Sequence, residues 1–357
     1  MEKHLQDMEL AELEDFFVSI GEQRYRAKQL FRWISRGVFS FDEMSDLSGA
    51  LKEKLKSHTC LGLLNLSEYL VSEVDDTRKY LFRLKDKHLI ESVYMKYKHG
   101  SSVCISSQAG CAMSCTFCAS GKEGLIRNLS AGELLEQVLR IQQNVKERIS
   151  NVVVMGTGEP FENYESVSAF IKIVNNESGL NIGMRNITVS TCGIIPMIQR
   201  FSRDFPQVNL AVSLHSANET VRERLMPIAK TYTLNELLTA CDEYVKATKR
   251  RITFEYALID GVNSSLQCAD DLSEKLKNIL CHVNLIPLNS LTDSEHVPSS
   301  TQNTKKFLER LLQNGITATI RRKLGLDINA ACGQLRIKQM QADTQQINEY
   351  GHNEAKK

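Results

Sequence analysis

Short apolar runs alternate with longer amphipathic stretches through the second two-thirds of the chain, and this alternation limits the fold more than any other feature. The runs are SVCIS (102–106), NVVVM (151–155), NITVS (186–190), VNLAVSL (208–214), ITFEYAL (252–258) and HVNLIPL (282–288). Between them lie stretches such as 131–146 and 235–249, whose apolar residues recur at helical spacing. Six strand–helix repeats predict parallel strands joined by crossover helices. A late run, TATIRR (317–322), follows one more helix. The pattern predicts an α/β fold, a partial (β/α)6 barrel of about 230 residues. A doubly wound open sheet fits less well, because no GxGxxG opens the first helix.

The residues before the repeats read differently. Leu10, Leu13, Phe16, Phe17 and Ile20 recur at helical spacing, with Gly21 as a stop. In RYRAKQLFRWISRG, Leu30, Phe31, Trp33 and Ile34 form an apolar side, while Arg24, Lys28, Arg32 and Arg36 form a basic stripe at four-residue steps. A third helix is expected from Ser48 to Ser57, and short strands from about 64 to 98 with a turn at 74–76. The expected organisation is therefore an N-terminal helical accessory domain (1–63), a short-strand linker region (64–100), a barrel core (101–337) and a polar, flexible tail (338–357).

Composition sets the compartment. No apolar run is long enough to span a membrane, and the acidic, amphipathic N-terminus lacks the apolar core of a signal peptide. A cytoplasmic location without membrane contact is expected. Ten cysteines there are thiols, metal ligands or catalysts rather than structural disulfides. The 44 Lys+Arg against 43 Asp+Glu exclude a uniformly basic nucleic-acid binder but not local basic patches.

Three of the cysteines fall in CAMSCTFC, as Cys111, Cys115 and Cys118, directly after the first barrel strand. Three thiolates leave one iron of a four-iron cluster open to a non-protein ligand. A closed zinc knot that adds Cys104 is the alternative. The turns MGTGEP, STCG, SLHS and IPLN end other predicted strands. In a barrel these ends converge on one mouth, where sites are built.

CxxxCxFC after the first strand resembles the radical SAM enzymes. Further motifs narrow the resemblance: SSQAGCAMSCTFCASGKEG, VVVMGTGEPFEN, STCGIIP, VSLHS, LMPI, FEYALIDGVN, VNLIPLN and DINAACGQL. Together they resemble the RlmN/Cfr family of radical SAM RNA adenosine methyltransferases over nearly the whole chain except the tail. The resemblance implies a [4Fe–4S] cluster on Cys111, Cys115 and Cys118, and two molecules of S-adenosylmethionine (SAM) per turnover. It implies a SAM pocket formed by Gly158, Glu159, Ser190, the Ser213–Leu214–His215 strand end and Asn289. It also implies that Cys332, on a methyl-carrier loop, takes a methyl group from one SAM, and that a second SAM supplies the radical that activates it. Cys104 would then deprotonate the attacked carbon and release the product through a transient disulfide with Cys332. Glu91 matches a family proton acceptor. Cys60, Cys192, Cys241, Cys268 and Cys281 match no family role and are expected to be structural thiols.

Two family activities compete. RlmN-type enzymes methylate C2 of an adenosine in the peptidyl-transferase centre of 23S rRNA, and many also act on C2 of adenosine 37 in certain tRNAs. Cfr-type enzymes methylate C8 of the same rRNA adenosine and confer antibiotic resistance. Pro160 after Gly158-Glu159, and the segment YRAKQLFRWISRGVFSFDEMSDLS, resemble RlmN, so C2 is expected. The expected partners are 23S rRNA, tRNA and an external one-electron reductant such as flavodoxin or ferredoxin. Phosphate contacts are expected from the Arg24–Arg36 stripe, from Lys122 and Arg127, and from Arg321, Arg322 and Lys323. The competing readings are a zinc-knotted RNA-binding module without catalysis, and a radical SAM enzyme with another substrate.

Overall fold

The structure, a computed structural model, describes residues 3–98, 100–121, 124–288 and 295–328. Lys122, Asn289, Cys332 and the tail 338–357 lie outside the described residues.

The N-terminal part holds helices α1 (Leu10–Ser19), α2 (Tyr25–Ser35) and α3 (Gly49–His58). They are followed by three strands, β1 (Leu64–Val71), β2 (Arg78–Leu84) and β3 (Leu89–Tyr97). The predicted runs then form β4 (Gly100–Ile105), β5 (Ile149–Val154), β6 (Ile187–Thr191), β7 (Asn209–Ser213), β8 (Ile252–Leu258), β9 (Cys281–Pro287) and β10 (Ala318–Ile320). Helices α4 (Ala131–Val145), α5 (Tyr164–Asn175), α6 (Ile195–Asp204), α7 (Glu219–Leu225), α8 (Leu234–Thr248), α9 (Leu266–Leu276) and α10 (Thr301–Gln313) connect them.

All ten strands make one sheet, in the order β10-β9-β8-β7-β6-β5-β4-β3-β2-β1. From β4 to β10 neighbouring strands are parallel, as crossover helices require, while β1 to β4 pair antiparallel. Segment 64–100, read from sequence as a linker region, thus supplies three strands that extend the core sheet past β4.

Helix ends follow local chemistry. Ser130 with Glu133 and Thr233 with Glu236 form reciprocal capping boxes at the starts of α4 and α8. A buried carboxylate of α4 is among the groups that hold the N-terminal part to that helix. Glu136 accepts from the amides of Leu63 (2.5 Å) and Leu64 (3.0 Å), from Gln6 Nε2 (2.6 Å) and from Arg140 Nε (2.8 Å).

The two faces of the parallel strands differ. One carries Val152, Val154, Ile187, Val189, Leu210, Val212, Phe254, Tyr256, Val283 and Leu285, all buried against the helices. The other carries polar residues in register: Thr188 beside Asn209, Ser213 beside Glu255, and Glu255 beside Asn284. The hydrophobic core therefore lies outside the curved sheet, and the polar face lines its concave interior.

Candidate active site

The three spaced cysteines sit on a loop that leaves β4 through a small hairpin, Gln108–Gly110 with Leu125–Asn128. Gly110 has φ +76°, and a Cβ there would stand 2.0 Å from the Gly124 carbonyl oxygen, so only glycine closes this hairpin. The loop is pinned by backbone bonds: Cys111 N–H to Gly124 O (2.9 Å), Cys118 N–H to Cys115 O (3.1 Å) and Thr116 N–H to Leu225 O (3.0 Å). Cys111, Cys115 and Cys118 all face one cavity of about 290 Å³ at the C-terminal ends of the strands. Burial pushes the Cys111 thiol up to about 12 and raises Cys115 as well.

Other strand ends complete the wall. Gly158, Glu159, Ser190, Ser213 and His215 line the same cavity. Gly158 has φ +112°, and a Cβ would lie 2.6 Å from Gln108 Cβ. Glu159 is buried, accepting from the amides of Cys192 (2.7 Å) and Phe161 (3.0 Å). It ties the GTGEP turn to the STCG turn. Burial raises its carboxyl. Leu214 differs from its neighbours: its side chain belongs to the helix-side core, and only its backbone, donating to Glu255 O (3.0 Å), is at the mouth.

His215 takes a left-handed φ of +57°. Its Nδ1 accepts from the Ala257 amide (2.9 Å), which leaves the ring proton on Nε2, and its ring meets Phe117 edge-on at 4.6 Å. Burial, helped by the Arg222 charge, lowers its pKa from 6.5 to about 3. Between those values the unfolded chain binds a proton that the folded chain refuses. Stability is therefore full above pH 6.5 and falls as the pH drops towards 3. The loss approaches about 1 kcal/mol per pH unit. His215→Gln should flatten that dependence in urea unfolding at pH 7.5 and 5; an equal loss in the variant would remove His215 as its source.

A second group lies on the concave face beyond this cavity. Cys104 on β4 pairs with Val93 on β3, and Glu91 lies two positions along, diagonal to Cys104 on the same face. Lys79 of β2 stands opposite Val93 and places Nζ 3.2 Å from Glu91 Oε2, both side chains being fully or almost fully buried. Cys104 is 3% exposed and packs with Val93 and Met95. Leu324 and Ile328, from the segment after β10, pack on this cluster. Asp327 accepts from Ser72 Oγ (2.7 Å) and the Glu73 amide (2.9 Å), so the segment crosses from the β10 edge to the β1–β2 turn. Ile328 is four residues before Cys332 in the chain.

Four residues near these centres escaped the sequence reading. Glu255 faces the cavity, 5% exposed and held by Asn284 Nδ2 (2.8 Å); the alternation in ITFEYAL carried that signal. Cys192 lines the cavity too, with Sγ 3.2 Å from Met113 Sδ. Lys79 needed the strand register, and Arg222 gave no signal in the polar segment ETVRERL. Of the expected phosphate-binding side chains, Lys28, Arg32, Arg36, Arg322 and Lys323 are exposed. Arg24 is exposed but paired with Glu14 and Asp15. Arg127 is engaged otherwise: it pairs with Asp86 and forks onto both Glu133 oxygens (2.7 Å each). Arg321 lines the cavity.

Two family models match the chain. Residues 3–61 match the ribosomal RNA large subunit methyltransferase N-terminal domain, and residues 105–272 match the radical SAM superfamily. A probable dual-specificity RNA methyltransferase RlmN of Clostridium novyi is 49% identical over 335 residues, covering 94% of this chain and 98% of that protein. The chain belongs to the RlmN family. Its RlmN relative from Caldanaerobacter subterraneus is 51% identical over 336 residues, covering 94% of this chain and 98% of that one. The crystal structure of a radical SAM methyltransferase from Sphaerobacter thermophilus superposes with a TM-score of 0.89 at 44% identity, over 93% of this chain and 98% of that one.

RlmN-family membership brings a [4Fe–4S] cluster and SAM as cofactors, and the described residues suit them. Among the described residues no group of three or more His, Cys, Asp and Glu side chains is placed to hold a single metal ion. A zinc knot needs four donors within about 2.0–2.3 Å of one ion. Cys104, the fourth donor such a knot would need, is absent from the cavity wall. Three thiols spread around a cavity instead suit a cluster whose ligands sit on separate irons.

Proposed function

We propose that this RlmN-family chain methylates C2 of adenosine in 23S rRNA and in certain tRNAs, in the cytoplasm, with an external one-electron reductant such as flavodoxin or ferredoxin. Cys111, Cys115 and Cys118 hold the cluster; Gly158, Glu159, Ser190, Ser213, the Leu214 backbone, His215 and Asn289 form the SAM pocket. When bound, the cluster and two SAM molecules per turnover supply the methyl group and the one-electron chemistry that activates it.

The chain's own residues do the rest. Cys332 carries the methyl group as a thioether, a form of covalent catalysis suited to an adenine carbon too electron-poor to attack SAM itself. Once that carbon is bonded through methylene to Cys332, Cys104 takes up its proton, with Glu91 as the onward acceptor. With that proton the adduct gives up its unpaired electron, for which the bound cluster would be the acceptor. Cys104 thiolate then attacks the Cys332 sulfur, and the S–C bond breaks as the disulfide forms. The released methylene carbon takes up a proton to become the product methyl, and external thiols restore both cysteines. The adenine must leave its stack to reach the concave face. Lys28, Arg32 and Arg36 on α2 offer exposed cations for phosphates. Among the described residues no helix is long and apolar enough to cross a membrane.

The observation that supports this reading best is the packing of Leu324 and Ile328, four residues before Cys332 in sequence, against the apolar cluster that contains Cys104. Nucleoside mass spectrometry of rRNA and tRNA after reaction tests it. 2-Methyladenosine is expected in both. 8-Methyladenosine instead would overturn the regiochemistry, and unmodified RNA would overturn the function.

A further inference from the structure

Arg222 is 1% exposed, one of the largest fully buried side chains of the protein. Its Nη2 donates to the Cys192 carbonyl (3.0 Å), but Nε and Nη1 meet no acceptor among the described residues. A buried guanidinium with two unmet donors is costly, and a buried charge without a counter-charge is costlier. No carboxylate forms a salt bridge with it among the described residues, although the Glu219 charge acts on it from the same helix. Glu219, on the same helix, spends both oxygens on the Leu234 amide (3.0 and 2.9 Å), and Glu159 spends its own on Cys192 and Phe161.

The guanidinium sits instead at the Cys192 backbone, its Nη2 on that carbonyl. Its charge acts on Cys115 and Cys192, while burial counts against it. The residue three positions on, Leu225, accepts the Thr116 amide (3.0 Å), so α7 is clamped to the cysteine loop. Cys192, whose carbonyl Arg222 holds, touches Met113 of that loop through its sulfur. Arg222 is not in the cavity wall. It belongs to α7, the helix clamped to the cysteine loop, and acts on the site through its charge rather than by contact with a substrate in the cavity.

We propose that Arg222 is a positioning residue for the iron–sulfur cluster: its buried charge offsets the anionic thiolates and makes the cluster easier to reduce. This rests on reading Cys111, Cys115 and Cys118 as cluster ligands. The physical reason is simple. Three thiolates and a cluster carry net negative charge, reduction adds one more, and a fixed cation in a low-dielectric setting favours the more negative state. Through Nη2 the guanidinium also fixes the Cys192 backbone beside the cavity.

The test is a redox titration of the anaerobically reconstituted full chain, followed by electron paramagnetic resonance of the reduced cluster, with iron content measured in parallel. Arg222→Gln should lower the midpoint potential. At the wild-type midpoint its oxidised-to-reduced ratio should rise about tenfold, equivalent to about 59 mV for one electron. Arg224→Gln removes an exposed charge from the same helix and should leave the potential unchanged. Arg222→Lys keeps the charge and should stay near the wild type. A fully loaded Arg222→Gln at the wild-type potential, or an equal shift in Arg224→Gln, overturns the proposal. If the Gln variant does not fold, Arg222→Met, which fills the volume without the charge, decides: a lowered potential supports the role and the wild-type potential refutes it. A wild-type chain that forms no [4Fe–4S] cluster would instead overturn the ligand reading on which this rests.

Discussion

A Cys104→Ala variant should stall with RNA covalently attached to the protein. On the proposed pathway the methyl carbon is bonded to both Cys332 and the adenine before the last proton leaves. Without the Cys104 thiol the pathway loses the group that both accepts that proton and attacks the thioether. Losing such a general base costs about 10²–10⁴ in rate. The side chain is small and 3% exposed, packed between Val93 and Met95, so truncating one sulfur should leave the fold standing. The measurement is a denaturing gel with labelled RNA. A nuclease-sensitive band at the protein's mass plus RNA should accumulate, and should vanish in a Cys104→Ala, Cys332→Ala double variant. Free turnover by Cys104→Ala would refute the resolving role.

Lys79→Met should be the most damaging single change to stability. The ammonium lies 3.2 Å from Glu91, and the two side chains are 0% and 4% exposed. Removing the ammonium takes away a counter-charge 3.2 Å from a buried carboxylate, and breaking a buried pair in this way costs about 3–5 kcal/mol. Replacing both, as Lys79→Met with Glu91→Leu, should restore part of that loss, because no buried charge of the pair is then left without its counter-charge. Urea unfolding of the three variants measures it. A single variant within about 1 kcal/mol of wild type would mean that the pair is not isolated from water. The double variant also separates stability from chemistry: it should fold well and still lose activity if Glu91 accepts the proton.

Much of this was legible in the sequence, for physical reasons. SVCIS, NVVVM, NITVS and ITFEYAL are short, β-branched or aromatic, and bounded by turn residues, so the strands fell within a residue or two of their predicted places. The cysteine spacing and the strand-end turns marked one mouth because a parallel barrel has only one catalytic end. What stayed hidden depends on register, which no single strand encodes. Lys79 and Glu91 meet, and Glu91 lies diagonal to Cys104, only because β2, β3 and β4 pair with one particular offset. The union of 64–97 with the core sheet was hidden likewise. Arg127 looked like a phosphate ligand, but its carboxylate partners lie on other elements.

The placement of the hydrophobic core has an evolutionary consequence. The apolar face of the sheet buries its weight against the helices, while the concave face holds Ser190, Ser213, Glu255 and Asn284, which add little to that core. Folding and chemistry thus draw on alternate residues of the same strands. A substitution at an inward position can redirect the reaction without unfolding the molecule, whereas its immediate neighbours in sequence are held by packing. A lineage built on this scaffold can therefore explore new target atoms one residue at a time, with the architecture acting as a fixed stage.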